Sequence, residues 1–403
     1  MKTILAYKKR VLSVQNILAL STIAVALAAC GGGSDGSSGS NTSTSGGSTT
    51  TTPQQDAVSQ SSTALVAQTG ATAVPGTTST AQAFDLTADI GDTWRLVLNQ
   101  DGSFTIKVLS TQYGLTDISG TYTQSTSGSF TTYTGTSANG SFTLKLDTRT
   151  HIMGGNVVLR TRSSSVAGSG YSVPANTATL AGDYFYIGAT RNASDGGSPS
   201  FLGGTFRVAA NGTDVTWCDS GLINASGTCN AVAGSSSPSQ QFAFKLVKNT
   251  TDGLTHVQGS GSDLGILSFQ AGDRGPVLVI DRFGYSQSAT PVLRTGVIYA
   301  SKQQVLAGTE LNGSWTCTDR GTTIGTVTIN GTTVKTADTS GVSTAETLYF
   351  NDISTNTGLV AVNGAATSVV NGQAPSSGVI LLPLSSSMFV VERDAAQSVA
   401  TCR

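Results

Sequence analysis

The chain has two histidines, so any serine, cysteine or metal mechanism that needs an imidazole must draw on His151 or His256. Both occur in one local pattern, Thr150-His151-Ile152-Met153-Gly154 and Thr255-His256-Val257-Gln258-Gly259. At matched places in two related units they would make a paired ligand or a proton-transfer site. The plainer reading is a strand position that tolerates histidine. A third copy of the pattern, Val360-Ala361-Val362-Asn363-Gly364, carries Ala361 at the same place and supports the plainer reading.

Carboxylates are the next candidates, because a glycosidase works with two of them about 5 to 9.5 Å apart. Asp219, Asp263, Asp273, Asp281, Glu310, Asp319, Glu346, Asp352, Glu392 and Asp394 are scattered, and their spacing selects no pair. The repeated Asp281-Arg282 and Glu392-Arg393 are expected to end strands as solvated charges or ion pairs. The Gly-x-Ser-x-Gly match at Gly32-Gly33-Ser34-Asp35-Gly36 lacks the strand before it and the helix after it that a nucleophile elbow requires. Trp94, Trp217 and Trp315 could stack a ligand, but an aromatic residue on the apolar face of a strand more often fills a core. Neither a CxxC pair nor an Asp-x-Asp-x-Asp-Gly loop occurs, so zinc and calcium are not expected. No catalytic residue, metal or cofactor is predicted.

The elements that must position these groups are strands. Trp94, Leu96 and Leu98 alternate onto one face, Asn99-Gln100-Asp101-Gly102 supplies a turn, and Phe104, Ile106 and Val108 return on a matching face, which reads as a hairpin. The signal recurs around Asn211-Gly212 and Asn330-Gly331, a dipeptide suited to the two positive-φ positions of a type I′ turn. Gly91 to Trp94, Leu180-Ala181-Gly182-Asp183-Tyr184 and Leu311-Asn312-Gly313-Ser314-Trp315 read as matching openings, and Phe142 to Leu146 reads as the partner of Phe242 to Leu246. Val157-Val158-Leu159-Arg160, Val279-Ile280-Asp281-Arg282 and Val390-Val391-Glu392-Arg393 close the units. A period of about 100 residues exceeds that of solenoids, so three tandem units are expected: an all-β chain of antiparallel barrels or sandwiches at 84–175, 176–305 and 306–403. The Leu-x-Gly-x-Trp opening resembles that of lipocalin-like barrels over about five residues per unit, which implies a barrel.

Ahead of the units lie Lys2, Lys8, Lys9 and Arg10, then an uncharged, mostly apolar run over 11–29. This is the charge order of a signal peptide. Leu27-Ala28-Ala29-Cys30 resembles the bacterial lipobox, which implies cleavage after residue 29 and acylation of Cys30, with palmitate among the acyl groups. Gly31 stands where an inner-membrane retention signal would place Asp, so the resemblance implies the outer membrane of a Gram-negative cell, with the face left open. Several acyl chains make such an anchor effectively permanent. Residues 30–83 are dominated by Gly, Ser, Thr, Gln and Ala, with only Asp35 and Asp56 charged. They read as a disordered tether with a typical span on the order of 40 Å. With Cys30 lipidated, Cys218, Cys229, Cys317 and Cys402 remain. An even remainder in an oxidising compartment reads as two disulfides. Cys218 with Cys229 and Cys317 with Cys402 is the pairing that keeps each bond inside one unit.

A formal net charge of −1 gives no electrostatic case for nucleic acid. The leading expectation is a non-enzymatic envelope lipoprotein acting by surface adhesion, assembly or structural contact with a protein or glycan partner. The alternative is a lipoprotein that holds a small apolar molecule or glycan, and an enzyme is the least supported.

Overall fold

The structure is a computed structural model that describes residues 56–233, 239–286, 290–393 and 396–403. The segments read as a signal peptide, as lipidated Cys30 and as a tether up to residue 55 lie outside these residues, as does Asp394. The described chain forms three closed, eight-stranded antiparallel barrels. The first runs from the strand Ala81–Ala88 to Arg162–Ser169, the second from Gly182–Asn192 to Leu293–Lys302, and the third from Gly313–Asp319 to Ser398–Cys402.

Alternation builds each barrel. In the first, Leu98 opposes Phe104 and Leu96 opposes Ile106, and these side chains are buried inside the barrel with Trp94. Closure pairs Asp85 with Ser169 in the first barrel, Val297 with Ala189 in the second, and Cys317 with Cys402 in the third. A closed sheet has no unpaired edge, which decides between barrel and sandwich. The Asp101-Gly102, Asn211-Gly212 and Asn330-Gly331 turns all join the second and third strands of their barrels. They are not type I′ at the Asn-Gly pairs, because only Gly212 (φ 73°) and Gly331 (φ 55°) take positive φ. Asn211 instead accepts the Thr213 and Asp214 amides through its side chain, while Asn330 is still in its strand, paired with Thr333.

The repeat alignment needs correction. Gly91 to Trp94 leads into the second strand of its barrel, whereas Gly182 and Gly313 begin first strands. Phe142 to Leu146 lies in a sixth strand and Phe242 to Leu246 in a fourth. These two motifs recur because every inward-facing strand needs the same alternation, whereas the closing motifs at Val157, Val279 and Val390 do fall in equivalent, seventh strands.

Part of the segment read as tether is folded. Residues Ala57–Thr69 form helix α1, capped by the Asp56 side chain, which accepts the Ser59 amide, and ended by Gly70 in the left-handed region, where glycine carries no Cβ penalty. Leu65 and Ala71 join the core of the second barrel, and the Ser62 hydroxyl donates to the Ala271 carbonyl at 2.7 Å. The helix has few large apolar side chains, Val58, Leu65 and Val66, and folds because the second barrel supplies the surface that Leu65 and Val66 pack against.

The barrels are fused. Phe185, Ile187, Val279 and Tyr299 point outward from the second barrel into a shared core with Ile152 and Ala167 of the first and Leu382, Met388 and Val390 of the third. These strands are covered on both faces, which explains continuous apolar runs such as Val277-Leu278-Val279-Ile280. Hydrogen bonds stitch the seams: Thr87 to Ser268 and Thr93 to Asp281 between first and second, the Gly321 amide to Ser165 between third and first, and the Ser386 amide to Asp273 between third and second.

Candidate functional site

The structure does not bring the two histidines together. His151 has φ 55° in the turn before the seventh strand of the first barrel, with its ring edge-on to Tyr171 at 5.4 Å. His256 lies in the fifth strand of the second barrel, Thr255–Gly259, the same ordinal place as Ala361 in the third. It is buried, with Nδ1 3.0 Å from Asp263 Oδ2 and Nε2 2.9 Å from Asp252 Oδ2. Both ring nitrogens are thus engaged by carboxylates, and neither is left for a substrate. The arrangement ties a loop to a strand. Among the described residues no cluster of three or more His, Cys, Asp or Glu is placed to hold a metal.

The carboxylates separate into roles that spacing did not show. Asp281 is no solvated strand end: it is fully buried at the seam, accepting from Thr93 Oγ1 at 2.6 Å and from the Ile266 amide. Burial pushes its carboxyl up to about 7. Burial likewise raises Asp89 and Asp92 of the first barrel to about 6, with Arg191 opposing the effect at Asp89. Asp319 is held by Arg393 and by the Ser398 hydroxyl. Asp281 and Asp89 bond across the fusion of the barrels, to Thr93 and to the Arg320 amide, whereas Asp92 and Asp319 are bonded within their own barrels. The cleft where Asp89, Arg191 and Asp319 meet has a volume of only about 20 Å³.

The three tryptophans are core residues. In the second barrel Tyr184, Phe206 and Trp217 form a stack with centroids 5.0 and 4.9 Å apart, and Tyr186 lies 4.1 Å from Trp217. Trp94 is fully buried in the first barrel. Trp315 packs edge-on against Phe389 at 5.0 Å in the third, with its indole N–H donating to the Leu311 carbonyl.

Beyond Trp315 the third barrel is not filled. A cavity of about 270 Å³ opens inside it, walled by Ile324, Val327, Val334, Leu381, Phe389 and Val391. Glu346 from the strand Ser343–Thr355 enters this wall. Its Oε1 accepts from Thr336 Oγ1 at 3.1 Å and its Oε2 from Ser368 Oγ at 2.5 Å. Asp338 and Val342 lie at the rim, in the hairpin between the third and fourth strands. The Asp338 carboxylate, bonded to the Ser340 hydroxyl and to nearby amides, is held below its ordinary range. Sequence reasoning placed Glu346 among ten scattered carboxylates. The usable signal was a charge at an inward position of a strand whose neighbour Leu348 is core.

Cys218 and Cys229 are bonded, with Cα atoms 5.4 Å apart; Cys317 and Cys402 are bonded, with Cα atoms 4.0 Å apart across the closing seam. No protein-family model, curated protein or solved structure matches the chain.

Proposed function

We propose that this is a lipid-anchored, non-enzymatic outer-membrane protein, held by acylated Cys30 and working by contact with an envelope or surface partner, protein or glycan. The observation that carries the reading is the fused core: three barrels share one apolar seam, so the body offers a rigid, continuous surface. Closure leaves the barrels no edge for strand addition. Apart from the short hairpin of Gly221–Ile223 with Cys229–Ala231, contact comes from outward side chains and from loops. The lipobox resemblance supplies the address.

The test uses whole cells. Cys30→Ser is expected to leave a folded protein that no longer fractionates with membranes. A broad-specificity protease is expected to cut before Asp56, because α1 is packed on the second barrel, and to release one fragment beginning near that residue. Release from intact cells places the body on the surface; protection until the outer membrane is permeabilised removes the adhesion reading and leaves assembly within the envelope. Membrane association that survives Cys30→Ser overturns the anchor. A second reading, capture of a small ligand, is favoured by the unfilled third barrel.

A further inference from the structure

We infer that the interior of the third barrel is a binding site for a small, largely apolar molecule bearing an ammonium group. This rests on the ligand-capture reading and deepens it. Three observations converge. The cavity volume of about 270 Å³ sits at the lower edge of ligand pockets, about 300–1,000 Å³, and by the roughly 30 Å³ share of a water molecule it has room for on the order of ten non-hydrogen atoms.

The walls are aliphatic with one aromatic face, Phe389, so most of the occupant must be apolar. Apolar surface that leaves bulk water for such walls supplies the main favourable term in binding.

The polar features have one sign. Glu346 and Asp338 line the cavity, and no lining residue is basic. Among the described residues no ion pair involves Glu346, in contrast to Asp85 with Arg95, Asp183 with Arg207 and Asp319 with Arg393. Thr336 and Ser368 each donate to one oxygen of Glu346, which fixes the carboxylate within the wall while leaving further lone pairs to accept. A carboxylate oriented by its neighbours, facing an apolar space and lacking a counter-charge is the complement of a cation with an apolar body. An anionic ligand would meet two like charges. Asp338 at the rim adds attraction along the way in.

The test is isothermal titration of the lipoprotein in lipid nanodiscs, with empty nanodiscs as blank, using phenethylammonium, neutral 2-phenylethanol and anionic 3-phenylpropionate. The intact protein is expected to bind the ammonium at least tenfold more tightly than the alcohol and the carboxylate not detectably. Glu346→Gln is expected to reduce the ammonium affinity to that of the alcohol. Val327→Phe, which fills the cavity with the charge intact, is expected to abolish both, and His256→Ala in the neighbouring barrel to change neither. Equal binding of ammonium and alcohol, or ammonium binding unchanged in Glu346→Gln, overturns the amine assignment while the ligand-capture reading stands. Failure of all three probes to bind, or binding that survives Val327→Phe, overturns the site itself.

Discussion

The second and third barrels are built on the same plan and differ in what their middle strands send inward. In the second barrel the second to fourth strands contribute Phe206, Trp217 and Phe244, whose rings meet face to face or tilted. In the third barrel the corresponding strands contribute Val327, Thr336 and Glu346 around a void. Backbone pairing closes both barrels, along Arg294 to Lys302 in the second and at Cys317 and Thr318 in the third, so closure does not depend on a full interior. Side-chain volume alone decides whether an eight-stranded barrel is a core or a container. Each of these two barrels also carries one disulfide, and here too the use differs. Cys218 to Cys229 spans a sequence separation of 11 beside a small hairpin of the second barrel, whereas Cys317 to Cys402 spans 85 and joins the first and last strands of the third.

The disulfides should show that contrast most strongly. Replacing Cys317 and Cys402 together by serine is expected to destabilise by up to about 4.6 kcal/mol, against about 2.8 kcal/mol for the Cys218 and Cys229 pair, since the longer loop is more constrained in the unfolded chain. Urea unfolding of the two double variants compares them. A larger loss from the short loop would show that the staple at the closing seam is not what holds the hollow barrel.

Truncation of the fillers comes next. Trp217→Ala removes the centre of an aromatic stack and should cost about 3–5 kcal/mol, whereas Val327→Ala enlarges a void that already exists and is expected to cost below about 1 kcal/mol. Equal losses would mean that the third barrel is packed in solution.

A smaller effect lies outside both interiors, at the seams. Asp281 at about 7 and Asp89 and Asp92 at about 6 sit above the roughly 3.9 of an unfolded aspartate. The native state therefore holds protons that the unfolded chain has released. The stability these groups contribute is complete below about pH 4 and is lost as the pH rises through about 6 to 7, by at most about 3 kcal/mol for Asp89 or Asp92. Urea midpoints should fall between about pH 4 and pH 8. In Asp281→Asn the fall should shrink, and a midpoint that rises over this range would show the seam carboxylates ionised and paired.

The sequence made parts of this structure legible and hid others for identifiable reasons. Trp94, Leu96 and Leu98 announce an inward face because only one side of their strand is core. Val277 to Ile280 hides its period because the second face is buried against other barrels, so the fusion was invisible to an alternation count. Helix α1 was missed because its large apolar residues are few and its stability is tertiary, although the Asp56 cap and Gly70 stop were both readable. The matched Thr-His patterns misled because strand chemistry repeats more often than strand position. Glu346 gained meaning only when the pairing of three consecutive strands placed Thr336 and Ser368 on either side of it.

The docking of α1 also sets a load path. A pull on the chain before Asp56 reaches the body through the helix, the Ser62 contact with Ala271 and then the wall of the second barrel. The third barrel carries its own staple, with its last strand bonded covalently to its first. On the proposed anchor at Cys30, tension would enter the body at the barrel filled with aromatic rings, and the hollow barrel would feel it only through the core the two share.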